Sequence, residues 1–90
     1  MERMKQLGVR EAAKTMLSGK DCAEQLVGQL VKQGLGGLTD GQQEAFWMGL
    51  MASLSGQMAA IVGMRPGIQI VDQCREGLAI AEARRNAEVH

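Results

Sequence analysis

Apolar side chains recur at helical spacing along most of this sequence, and glycine and proline mark where the spacing is interrupted. Val9, Ala12, Ala13 and Met16 predict a first helix that begins near residue 2 or residue 9 and ends at Leu17. Ser18 to Asp21 reads as a turn around Gly19. Ala23, Leu26, Val27, Leu30 and Val31 then fall at i, i+3, i+4, i+7 and i+8, the spacing of an amphipathic helix. Gly34 stands where a left-handed C-terminal cap is expected, with Leu35 placed to fold back on Leu30 and Lys32 near the carbonyl end.

The joint "LGGL" follows, and Thr39 with Gln42 matches a capping box, which ties down free N–H groups at a helix start. A third helix is therefore predicted from Asp40 to about Gly63, where "GMRPG" breaks it. Pro66 suits the first turn of a fourth helix, because an N–H there has no intrahelical partner to lose.

The segment 40–63 differs in kind from its neighbours. Placed at steps of about 100° around a helix axis, Gly49, Ala52, Ser53, Gly56, Ala59, Ala60 and Gly63 gather on one side. Trp47, Leu50, Met51, Leu54, Met58, Ile61 and Val62 gather on the other, leaving almost no polar face and predicting burial all round. Each interior glycine costs about 1 kcal/mol against alanine. Close approach of another helix backbone is the natural compensation, which makes Gly49, Gly56 and Gly63 helix-packing positions. The fourth helix offers a matching strip in Ile70, Cys74, Gly77 and Ala81, so Gly77 and Ala81 are expected opposite the glycine face. The same face is equally suited to its own copy in a second subunit.

These elements predict an all-α fold: a single domain, 1–90, forming a small antiparallel bundle of three to four helices around a central buried glycine-containing helix. Ninety residues lie near the lower limit for a self-sufficient core, which favours a homodimer or higher oligomer.

Charge narrows the functional classes. Ten Lys and Arg balance ten Asp and Glu, so the chain as a whole exerts no pull on nucleic acid or anionic membrane. Arg3, Lys5, Arg10, Lys14 and Lys20 alternate with apolar residues as a solvated helix face does. Residues 10–30 suggest a helix-turn-helix, but Gly19 is six residues after Ala13 rather than four, and Asp21 and Glu24 occupy the end that would meet phosphates. Ala45 to Met64 is twenty residues without a charge, with Trp47 and Arg65 near its ends, which raises a membrane span. Ser53, Ser55, Gln57 and the glycines weigh against that, as do the amphipathic neighbours. No charged segment followed by an apolar run opens the chain, so a cytoplasmic location is expected.

Candidate chemistry is sparse. Cys22 and Cys74 lie far apart and the single histidine is His90, so no metal set can be written, and reduced, buried cysteines are expected. "GLGG" lacks the lysine and hydroxyl residue of a phosphate loop and reads as a joint or cap. No catalytic residue, metal or cofactor is assigned. Seven methionines remain, suited to core filling or to an adaptable contact surface.

The expectation is a non-enzymatic interaction module, an adaptor or an inhibitor acting by stoichiometric binding to a macromolecular protein partner as well as to itself. Trp47, Met48, Met51, Leu35 and Leu38 are the candidate partner contacts. Its size is compatible with a phage or mobile-element protein that blocks a host system. The alternative is a small-molecule or nucleotide binder with its site between subunits, followed by a DNA-binding helix-turn-helix and a small membrane protein.

Overall fold

The computed structural model describes residues 6–89 and is all-helical over them. Its elements are α1 (Val9–Lys32), a short 3-10 turn (Leu35–Gly37), α2 (Asp40–Val62) and α3 (Met64–Val89), with no strand among the described residues. The chain divides into two units, one ending at Met48 and the other beginning at Gly49.

The two helices expected on either side of Gly19 are one. α1 runs unbroken through Ser18–Asp21, and the sequence contains the reason. Val9, Met16, Ala23 and Leu30 are spaced by seven, so the apolar stripe passes through the expected turn without changing phase. Keeping Gly19 helical costs about 1 kcal/mol, less than ending one helix and nucleating another. Lys20 and Glu24 also pair one turn apart at 3.7 Å, though both are exposed and the pair adds little. The alternative start near residue 2 lies outside the described residues. Gly8 precedes α1 with extended backbone, its carbonyl accepting from the Ala12 N–H at 2.9 Å.

The far end of α1 closes as its sequence suggests. Gly34 adopts φ 107° and ψ 14°, and its N–H donates to the Val31 carbonyl at 3.1 Å. The chain then tightens into the 3-10 turn, which contacts α1 and carries Leu35, the single buried apolar side chain among the described residues. The "LGGL" segment is thus an ordered turn that folds back on the helix it ends. Gly34→Ala should lower stability by about 1 kcal/mol, since a β-carbon is disfavoured in the left-handed region. Urea titration followed by circular dichroism measures this, and an unchanged midpoint would mean that the cap does not hold the turn.

At the start of α2 the capping box is formed in both directions. The Gln42 N–H donates to Thr39 Oγ1 at 3.2 Å, and the Thr39 N–H donates to Gln42 Oε1 at 3.0 Å. Asp40 in the first turn adds a carboxylate at the positive end of the helix dipole. α2 continues to Val62, and Gly63 alone separates it from α3. Gly63 takes φ 103°, a conformation that interrupts the helix within one residue. Pro66 is the third residue of α3, within its first turn as predicted.

Burial departs from expectation. α2 was expected to be the buried centre, yet it contains no buried residue. Its composition specifies a helix that requires cover on nearly all sides, and within each unit its described residues are left without full cover. Both cysteines are likewise exposed and free rather than buried.

Candidate functional site

The surface with chemical character is the second unit's share of α2, which has a shallow side and a bulky side separated by about half a turn. On the shallow side, a β-carbon added at Gly49 or Gly56 would meet nothing within 4 Å. Gly77 on α3 is equally open, and Ala81 is exposed. The expected packing of the α3 strip on the glycine face is therefore not formed among the described residues. Those side chains do not converge, because α3 leaves α2 through a one-residue elbow rather than through a loop long enough to lay the helices side by side. Gly63 serves a different purpose from the one expected, supplying the positive φ of the elbow instead of a packing surface.

The bulky side is open too. Ile61 is 83% exposed and Met51 53%, with Leu54 also on the surface. In the first unit, Met48 is 69% exposed, while Trp47 is half-buried and meets Phe46 edge to face with centroids 5.9 Å apart. Of the joint residues proposed as contacts, Leu35 is 9% exposed and occupied in the α1 cap, and Leu38 is half-buried. Leu35 is therefore withdrawn from the candidate contact surface. α1 shows Met16, Leu17, Leu26, Val27 and Val31 along its stripe, all exposed.

Polar chemistry is dispersed. Among the described residues no group of three or more His, Cys, Asp or Glu side chains is placed to hold a metal, and His90 lies outside them. The ion pairs Lys20–Glu24 and Arg75–Asp72, the latter at 3.8 Å, are local and solvated. An open depression on α1 is bordered by Arg10, Glu11, Lys14 and Thr15. It lies on the face of one helix, and the Thr15 hydroxyl already donates to the Glu11 carbonyl at 2.9 Å. The continuity of α1 also removes the turn that a helix-turn-helix would need in this segment.

α2 is the one helix among the described residues long and apolar enough to cross a membrane. Two of its polar side chains satisfy each other, with Gln57 Nε2 donating to Ser53 Oγ at 3.1 Å.

One contact was not legible in the sequence. A β-carbon on Gly67 would lie 3.0 Å from the Ala59 β-carbon and 3.1 Å from its α-carbon. Gly67 is buried, and Met58, Ala59, Val62, Pro66 and Ile70 near it in the chain are partly covered. Positions 59 and 67 are too far apart for helical periodicity to pair them, so "GMRPG" signals only a break.

Comparison with protein-family models, curated proteins and solved structures finds no match to this chain.

Proposed function

We propose that this chain is a non-enzymatic association module that completes its fold as an oligomer and binds a macromolecular protein partner stoichiometrically. The observation that carries this reading is α2, a helix of 23 residues that beyond its polar first turn has almost no polar face and that contains no buried residue. Exposed apolar surface of this extent is the mark of an interaction site.

The shallow side is the better candidate for a second copy. Within α2 its small residues are symmetric about Gly56: Ala52 mirrors Ala60, and Ser53 mirrors Ala59. A two-fold interface requires a self-complementary patch, and two antiparallel copies of this strip would set small residues against small residues. Balanced charge removes a repulsive barrier to self-association. The bulky side, with Met51, Leu54 and Ile61, then remains for a different partner. Met48, and Trp47 in so far as it is exposed, are further contacts in the first unit.

A second reading has one observation behind it. The uncharged part of α2, residues 45–62, is about 27 Å long at 1.5 Å per residue, close to the roughly 30 Å of a bilayer's hydrocarbon core, so α2 could be covered by lipid instead of protein.

Both readings are tested by light scattering in detergent-free buffer and by flotation with phosphatidylcholine vesicles. The first predicts a discrete mass at a multiple of 9.7 kDa and no flotation. A mass of one chain at micromolar concentration removes the oligomer, and flotation that survives high salt replaces it with the membrane reading.

A further inference from the structure

We propose that residues 59–67 form a fixed elbow, stopped in both directions, that sets the angle at which α3 leaves α2. Gly63 is the pivot. Its φ of 103° is costly for any residue with a β-carbon, so the bend is concentrated at this position. The hydrogen-bond ladder resumes at once on either side: the Gly63 N–H donates to the Ala59 carbonyl at 2.9 Å, and the Gly67 N–H donates to the Gly63 carbonyl at 3.0 Å.

Straightening is opposed by Pro66. In an unbroken helix its ring would collide with the carbonyl four residues earlier, that of Val62, and it has no N–H to donate there, so a continuous helix is strongly disfavoured. Further bending is opposed at Gly67, which is buried and has no room beside Ala59 for even a β-carbon. The missing β-carbon at 67 is what allows the present angle, because an added one would lie 3.0 Å from the Ala59 methyl and 3.1 Å from backbone. A loose hinge would have neither stop. Fixing the angle pre-organises any surface that uses both helices, so less conformational freedom is lost when a partner binds.

The test is a distance measurement by pulsed electron resonance on the full chain. Nitroxides are placed at the exposed Cys74 and at Gln57→Cys in a Cys22→Ser background, diluted with unlabelled protein so that only distances within a chain are read. The parent should give one narrow distribution. Gly67→Ala should shift or broaden it, and adding Ala59→Gly should partly restore it by keeping one methyl in the contact. Gly63→Ala with Pro66→Ala removes both the pivot and the straightening stop without adding bulk at the contact. That variant should lengthen the distance toward the value for a continuous helix, about 26 Å along the axis at 1.5 Å per residue.

A broad distribution in the parent overturns the proposal, as does a Gly67→Ala distribution equal to the parent's or unaffected by Ala59→Gly. If Gly67→Ala loses its helical circular dichroism, the Gly63→Ala/Pro66→Ala chain decides: a lengthened distance supports the fixed elbow and an unchanged one refutes it.

Discussion

Gly56→Leu should convert the proposed oligomer to single chains while leaving helix content equal or higher. Within one chain the substitution meets no obstacle, since nothing lies within 4 Å of a β-carbon at this position. It should even favour α2, because leucine is a better helix former than glycine by roughly 0.8 kcal/mol. The loss arises only between copies. In a two-fold pair centred on Gly56, each leucine is forced against the other helix, and overpacking costs about 1–3 kcal/mol per inserted side chain. Two such insertions weaken association by roughly 30-fold to more than 10,000-fold. Sedimentation velocity reads the mass and far-ultraviolet circular dichroism reads the helix. A variant that associates as tightly as the parent would show that the small-residue side faces solvent in the assembly.

The opposite signs of these effects follow from what a sequence pattern encodes. A helix that is apolar on every side states that it needs cover, and the pattern carries no information about which chain provides it. Local chemistry was therefore legible: the reciprocal Thr39–Gln42 cap, the left-handed Gly34 and the placement of Pro66 all depend on residues within one turn of each other. Burial of α2 and of the cysteines was misread because it depends on surfaces that only tertiary or quaternary contact can settle. The turn at Ser18–Asp21 failed for a different reason. Its glycine and polar residues are genuine turn formers, but they sit in the polar phase of a stripe that continues on both sides, and the longer pattern prevailed. The Gly67–Ala59 contact lies between these cases. It joins residues eight apart across a break, beyond the reach of helical periodicity and short of long-range topology.

The proposed function gives the shallow and bulky sides of α2 separate tasks, and the last prediction separates them. Leu54 and Ile61 lie one heptad apart on the bulky side and both are exposed, so neither supports an internal core in this chain. Leu54→Asp combined with Ile61→Asp should leave the mass of the proposed oligomer unchanged while abolishing capture of the proposed macromolecular partner. Exposed apolar anchors at the centre of an interface are worth about 2 kcal/mol or more each, and a carboxylate forced into an apolar contact must also lose hydration. Two losses of that size weaken binding by about 1,000-fold, beyond detection in a pull-down that recovers the partner with the parent chain. Scattering on the same sample reports the mass, and the Gly56→Leu chain run beside it gives the complementary outcome. If the aspartates dissolve the assembly while Gly56→Leu leaves it intact, copies meet through the bulky side, and the small-residue side is what remains for another partner.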